Sequence, residues 1–467
     1  MKISVIGHAS LLIEAKGVTI LSDPWWRGPC FGAQWWNYPP PAVPLLAGRR
    51  IDYIYISHGH HDHLHPGTLR TLGTEAKVLV SRRIGIADSI RELGFEVIEI
   101  DDSQELSLAP GLDCRVIATH GHDTLMALSD GREVCINLND ALHSAPQQVR
   151  SAFVSRLNLL YPKIDYVFCG YGVASHFPNC YEIPGKDREA TASLRQKYFN
   201  RNWAGLIAGL SPRFGFPFAA DVVFLEDDLR WVNEVTHNSE RPTQLFNTLH
   251  PQLPVRALDV APGFIIEDGQ VTTMALREPL SDAALRISCA ESIERANRLG
   301  RVEHADVLEI LGLIRENLDA AGAYARSYDG DYRFLIRFRN SDFGIDIVKV
   351  GEQITAEVRD LERSAPVGYD IVYRTRLPYL KRALTDPSGD EILFVGSGGI
   401  FEYSDRAPAL RNLHRELKFL LSKPPIRAPM RNTHQNSFAR LIKNAVKRLI
   451  GRGDEDLYDL RNWTVFR

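Results

Sequence analysis

The stretch Ser57-His58-Gly59-His60-His61-Asp62-His63 constrains this chain more than any other. It packs four histidines and one aspartate into six positions, directly after the apolar run Ile51-Asp52-Tyr53-Ile54-Tyr55-Ile56. That run alternates and is β-branched, the pattern of a buried strand. A loop leaving the C-terminal end of a strand can aim several short side chains at one point. Imidazole nitrogens and carboxylate oxygens brought together in this way suit Zn²⁺, Fe or Mn²⁺. The alternative, a polar histidine-rich surface loop, leaves the preceding strand and the downstream histidines and aspartates unexplained.

At 467 residues the chain exceeds one ordinary core, so two domains are expected. A net charge of −3 gives no support for general nucleic-acid binding. The cysteines are Cys30, Cys114, Cys135, Cys169, Cys180 and Cys289, with no CxxC pair among them. That argues against a zinc ribbon or a thioredoxin-like site and reads as reduced, mostly buried thiols. No signal-peptide pattern and no apolar run of membrane-spanning length occur, so a cytoplasmic protein is expected. A Ser-His-Asp hydrolase is excluded, because no Gly-x-Ser-x-Gly elbow is present. Gly396-Ser397-Gly398-Gly399 reads as a bulge or turn after a strand, without a helix to receive phosphate.

The opening residues read as a hairpin: Ile3–Ile6, Leu11–Glu14, a turn at Lys16-Gly17, then Val18–Leu21. Strand, helix and strand follow at 77–80, 84–93 and 97–100, and further strands at 115–118, 125–128 and 134–138. Composition changes after Pro279-Leu280. Residues 282–320 are helical in pattern. Strands are expected at 333–338, 344–348, 354–358 and 369–373, then a helix at 377–384 and a strand at Glu391–Phe394. The boundaries read as 1–280, 281–423 and 424–467. The last segment opens with the linker Pro424-Pro425-Ile426-Arg427-Ala428-Pro429. Residues 437–452 then form a basic amphipathic helix. Such a helix can dock on the protein or make peripheral contact with an anionic membrane surface.

The spacing His-x-His-x-Asp-His resembles the signature of the metallo-β-lactamase superfamily. The resemblance implies an α/β fold, the αββα sandwich, over the first 280 residues. It implies that His58 and His60 help hold one metal, Asp62 and His63 a second, and that His61 is variable. A further histidine is expected at a later strand end; His120 is favoured and His122 is the alternative. Asp140, in Asn137-Leu138-Asn139-Asp140, falls where the family has its bridging aspartate. His8, in Gly7-His8-Ala9-Ser10, resembles a motif near the metals in the branch of L-ascorbate-6-phosphate lactonase-like enzymes, so His8 and Asp62 are the candidate catalytic residues. The late strand-end motif that carries the family's last histidine matches residues 256–264, which contain none; Asp259 or His176 are the candidate substitutes. The order of elements after 281 resembles a sterol-carrier-like α+β domain.

A closer resemblance is to the metal-binding domain of CMP-N-acetylneuraminate hydroxylases. Its basis is Ser22-Asp23-Pro24-Trp25, Gly28-Pro29-Cys30-Phe31, Trp35-Trp36 and Pro39-Pro40, continued by Tyr53–His58, Asp123-Thr124, 137–140 and Ala174-Ser175-His176-Phe177-Pro178. The Trp-rich loop implies a lid over the metals, with Trp25, Trp36 and Tyr38 facing substrate. Those hydroxylases are iron-dependent monooxygenases in which a Rieske domain precedes this one and delivers electrons. No paired Cys-x-His and Cys-x-x-His motifs occur in this sequence, so a separate electron-transfer protein is expected. Two chemistries follow: O₂ activation at two irons, oxidising a small molecule, or hydrolysis of a lactone, amide or phosphoester by Zn²⁺ or Mn²⁺. A non-catalytic metal-binding scaffold is the third reading.

Overall fold

A computed structural model describes residues 1–119, 123–172, 176–220, 222–237, 239–275, 280–288, 290, 301–321, 330–364, 367–386, 389–406, 416–418 and 420–423. The chain divides into two compact units. One comprises Met1–Ala174 with Ala192–Arg298, the other Ser175–Thr191 with Leu299–Arg467. The short segment at 175–191 thus groups with the residues after 299 rather than with those on either side of it.

In the first unit the hairpin reading holds. Lys2–Gly7, Ser10–Ala15 and Val18–Ser22 run antiparallel, and Lys16 and Gly17 turn with positive φ between the last two. Tyr53–Tyr55, Lys77–Ser81 and Glu96–Ile100 then add in parallel. With Ile265–Glu267 and Gln270–Thr273 on the other edge they make an eight-stranded sheet. A second, seven-stranded sheet runs from Glu105–Ala109 through Leu112–Ala118, Thr124–Ser129, Val134–Asn139, Tyr166–Gly170 and Phe214–Phe218 to Arg256–Ala257.

Side-chain alternation sorts these strands into four layers. Tyr55, Leu79 and Ile100 of the first sheet meet Val116, Met126, Phe168 and Phe216 of the second in one buried core. Their neighbours Ile54, Ile56, Val78 and Val80 turn outward onto Leu69, Ala87 and Ile90 of the short helices Pro66–Leu69 and Ala87–Arg91. On the second sheet, Leu125, Ala127, Ile136 and Val167 turn outward onto Leu157, Trp203, Ile207 and Phe246. Those four come from the helices Gln147–Leu160, Arg188–Leu210 and Pro242–Leu249. Both faces of each sheet are covered, which is why the strands read as near-continuous apolar runs. The architecture is a four-layer αββα sandwich, the arrangement that the sequence resemblance implies. The helix expected at 84–93 shortens to Ala87–Arg91, because Arg82–Ile84 forms a 3₁₀ turn and Gly85 adopts positive φ.

The second unit is α+β. Its six-stranded sheet has the order Tyr181–Glu182, Gly399–Tyr403, Ile371–Thr375, Tyr332–Phe338, Phe343–Val350, Gln353–Asp360. Helices His304–Ala321 and Leu377–Thr385 contribute Val307, Ile310, Ile314 and Leu380 to its core. Residues Gly389–Phe394 form a helix, not the strand expected at 391–394. Three buried apolar residues in a row cannot distinguish the two periods, and Asp390 and Glu391 suit the positive end of a helix dipole. Gly396–Gly399 accordingly follows a helix and leads into the strand at Gly399. Lys349 and Glu416 are both buried, 2.8 Å apart, and Glu416 also accepts from Tyr332 Oη at 2.8 Å. No helix among the described residues is long and apolar enough to cross a membrane, and the tail at 437–452 lies outside the described residues.

Phe168 stacks on Phe216 at 4.5 Å and meets Phe218 edge-on at 5.5 Å between the two sheets. Phe168→Ala is expected to destabilise the first unit by about 3–5 kcal/mol, read as a lowered urea midpoint.

Candidate metal centre

The site stands where strands of both sheets end. Four of these ends supply it: His8 after Lys2–Gly7, Asp23 after Val18–Ser22, the His58–His63 loop after Tyr53–Tyr55, and Asp140 after Val134–Asn139. At a strand end the backbone leaves the ladder, and its next side chains are free to converge. Three of the turning residues are not glycine yet hold positive φ: His8 (39°), Asp23 (36°) and Asn139 (47°). His, Asp and Asn are the side chains that tolerate this region best. Each such residue still costs about 1–3 kcal/mol, which the surrounding structure must offset.

Polar bonds across the two sheets hold the ends in place. Thr124 Oγ1 donates to the Ser57 carbonyl at 2.6 Å and contacts Tyr55 Oη at 2.8 Å. Asn137 Nδ2 donates to Ser22 Oγ at 3.3 Å, and the Ala219 N–H donates to the His8 carbonyl at 3.2 Å. Inside the loop, the N–H groups of His63 and Leu64 close onto the His60 carbonyl at 3.0 and 2.8 Å, forming the turn that brings Asp62 and His63 inward.

The donors converge in two overlapping groups. His8, Asp62 and His63 form one, and His58, His63 and Asp140 the other, each with its donor atoms within 4.8 Å of one another. His63 Nε2 lies 3.3 Å from Asp62 Oδ2 and 3.4 Å from Asp140 Oδ2. His8 Nε2 lies 2.9 Å from Asp62 Oδ2, and His58 Nε2 lies 2.8 Å from His60 Nδ1. His63 Nε2 is buried and makes no hydrogen bond. Its other nitrogen, Nδ1, is held at 2.9 Å by Asp23 Oδ2. A histidine oriented by a carboxylate on one nitrogen, with the other turned to a cluster of carboxylates, is an arrangement that can hold a metal ion. The donor set therefore fits metal ions. His61 points elsewhere and stacks on Phe31 at 5.2 Å.

Electrostatics follow from this crowding. Burial pulls the His58 imidazole well below its ordinary pKa, and His63 and His60 add to the effect. Burial alone would lower His63 too, yet Asp62, Asp140 and Asp23 hold it well above. Burial would raise Asp62 and Asp140, but His63 holds both below the usual carboxylate range. Burial wins at Asp23, which is raised in spite of His63 and Ser57.

Several expected site residues lie elsewhere. His120 and His122 fall outside the described residues, between Thr119 and Asp123. Asp259 does not join the donors: it accepts from Thr243 Oγ1 at 2.7 Å and pairs with Arg241 at 3.2 Å, so both its oxygens are engaged. His176 belongs to the second unit, where its Nδ1 meets the Phe394 carbonyl and its ring packs on Tyr181. The substrate-facing aromatics also need correction. Trp25 is fully buried, its Nε1 donating to the Gly28 carbonyl at 2.9 Å and its ring edge-on to His8. Trp36 donates to the Ala33 carbonyl at 3.1 Å and packs with Tyr38 in a separate cluster. The cavity beside His8, Asp62 and Asp140 is lined by Trp35 instead. In the antiparallel pair of Trp35–Asn37 with Val222–Phe224, Trp35 and Trp36 point to opposite faces, which sequence adjacency does not reveal. Sequence reasoning also missed Asp23 as the partner of His63; its one signal is an Asp-Pro at a strand end.

Residues 2–154 match the family model of the beta-lactamase superfamily domain. This stretch is a beta-lactamase superfamily domain. The chain is 29% identical over 249 residues to a protein of Mycolicibacterium smegmatis named as a Rieske 2Fe-2S iron-sulfur protein, covering 50% of this chain and 46% of that one. It is 26% identical over 298 residues to the cytidine monophosphate-N-acetylneuraminic acid hydroxylase of Mus musculus, covering 58% and 48%. The chain thus spans about half the length of the curated relatives it matches. Among solved structures, the diiron β-hydroxylase CmlA of Streptomyces venezuelae superposes with a TM-score of 0.39 at 18% identity, covering 57% of this chain and 54% of that one.

Asp23→Asn is expected to weaken metal retention by about 10–100-fold in a chelator competition, because the amide no longer fixes the His63 tautomer from Nδ1. Unchanged retention would remove Asp23 from the site.

Proposed function

We propose that the beta-lactamase superfamily domain is a dinuclear iron enzyme that hydroxylates a small molecule with O₂. The observation that carries this reading is His63, clamped by Asp23 on one nitrogen and facing two further carboxylates on the other. Mixed imidazole and carboxylate donors of this kind suit non-haem iron. Two relatives support the reading by their names, one a hydroxylase and one a Rieske 2Fe-2S iron-sulfur protein.

In this reading His58 Nε2 and His60 Nδ1 serve one ion. Asp62 Oδ2 and His63 Nε2 serve the other. Asp140 stands between them, and His8 Nε2, at 2.9 Å from Asp62, takes the place of the histidine missing from 256–264. Bound iron would supply the oxygen and electron chemistry. One oxygen atom enters the product and the other leaves as water, which requires two electrons and two protons from outside. The chain's own residues orient the ligands through Asp23 and Ser57, and wall the site against water with Trp25 and Trp35. A separate electron-transfer protein supplies the electrons.

The three imidazoles His58, His60 and His63 favour a second reading, a Zn²⁺ or Mn²⁺ hydrolase of a lactone, amide or phosphoester. There His8 and Asp62 would handle the proton of the attacking water.

Protein purified from cells supplied with both iron and zinc is expected to carry about two irons per chain, lost in His58→Ala and Asp140→Ala. Zinc or manganese at that stoichiometry would replace the first reading with the second. Metal at background level would leave only a scaffold.

A further inference from the structure

The hydroxyl of Ser57 stands between the Asp23 carboxylate and two of the donor histidines. Ser57 Oγ lies 2.7 Å from Asp23 Oδ2, 3.0 Å from His58 Nδ1 and 3.3 Å from His63 Nδ1. Ser57, Asp23, His58 and His63 are all buried. A hydroxyl has one hydrogen to donate and two lone pairs to accept with, whereas a carboxylate only accepts. The Ser57 hydrogen therefore goes to Asp23 Oδ2, its nearest partner. The same oxygen takes the His63 Nδ1–H at 2.9 Å, shorter than the contact of that nitrogen with Ser57.

With its hydrogen committed to Asp23, the Ser57 oxygen can meet His58 Nδ1 only as an acceptor. His58 Nδ1 then carries the proton, and Nε2, which faces His60 Nδ1 at 2.8 Å, keeps a lone pair. The partner of the far nitrogen decides which ring nitrogen of a histidine can bind metal. Asp23 thus fixes His63 directly and His58 through one intervening hydroxyl. This duty is separate from holding the loop to the sheet. The Ser57 N–H donates to Asp23 Oδ1 at 2.8 Å, and the Ser57 carbonyl accepts from Thr124 Oγ1 at 2.6 Å. Both are backbone bonds, so alanine at this position keeps them and removes the hydroxyl alone.

We propose that Ser57 is a positioning residue for one metal position: its hydroxyl relays the Asp23 carboxylate to His58 and sets the tautomer that leaves Nε2 open to the ion shared with His60. The proposal rests on the reading above that the site holds metal, and not on which metal it holds. Its consequence is asymmetric. His63 is oriented by Asp23 itself and keeps its orientation without the hydroxyl, whereas His58 loses the acceptor that fixes its ring.

The test loads the full chain and its Ser57→Ala variant with Zn²⁺ and titrates each with a chelator. The parent is expected to hold about two zinc ions per chain. In Ser57→Ala one ion is expected to leave about 10–100-fold more readily, while the other keeps the parent's affinity. Should Ser57→Ala fail to fold, the zinc-loaded parent labelled with ¹⁵N-histidine gives a second reading. Its His58 ring should show a protonated Nδ1 and a metal-bound Nε2. Equal weakening of both ions, weakening of neither, or a His58 ring bound through Nδ1 would overturn the proposal. A parent that binds no zinc would overturn the metal reading and this proposal with it. Protein purified with zinc or manganese in place of iron, but with one ion loosened in Ser57→Ala, would overturn the iron reading and leave this one standing.

Discussion

The carboxylate of Asp23 is the contact on which the rest of the site depends. Its backbone N–H donates to the Tyr55 carbonyl at 2.9 Å, extending the parallel pairing of Val18–Ser22 with Tyr53–Tyr55 by one residue. Its side chain then reaches forward into the histidine loop. It accepts from the Ser57 N–H at 2.8 Å and the Ser57 hydroxyl at 2.7 Å, and holds His63 Nδ1 at 2.9 Å. One residue thereby fixes the loop to the sheet and sets the orientation of the histidine shared by both donor groups. A carboxylate with no solvent exposure is costly, and these three bonds offset part of that cost.

The remaining constraints work in the same direction. His8, Asp23 and Asn139 hold positive φ at three strand ends that adjoin the donor groups. The sandwich can sustain this because its layers are covered on both faces and the polar bonds of Thr124, Asn137 and Ser22 tie the two sheets beneath the site. A rigid two-sheet frame holds donors to within tenths of an ångström; a surface loop would not. The same frame explains why neighbouring tryptophans do different work. Trp25 fills the core under His8, Trp36 packs outward with Tyr38, and Trp35 faces the cavity.

The second unit obeys its own logic. A six-stranded sheet packs against helices His304–Ala321, Leu377–Thr385 and Gly389–Phe394, and Glu416 is tied to it through buried Lys349 and Tyr332. One edge of that sheet is Tyr181–Glu182, two residues paired in parallel with Gly399–Tyr403. So short a strand carries no periodic signal, and the sequence therefore gives no hint that 175–191 groups with residues more than a hundred positions away.

The sequence by itself determined the layers and the place of the site. Strand alternation at 53–56, 77–80 and 125–128 is a local property, and the crowding of His58, His60, Asp62 and His63 is contiguous, so both could be read without a structure. What only the tertiary structure decided are the contacts between distant segments. Among these are the clamp of Asp23 on His63 across 40 positions, the approach of His8 to Asp62 across 54, and the diversion of Asp259 to Arg241 and Thr243. The choice of Trp35 over its neighbours as the cavity wall is another, and so is the helix at Gly389–Phe394. Each depends on which face of an element meets which partner, and that is set by the packing of whole sheets and not by any one stretch of chain.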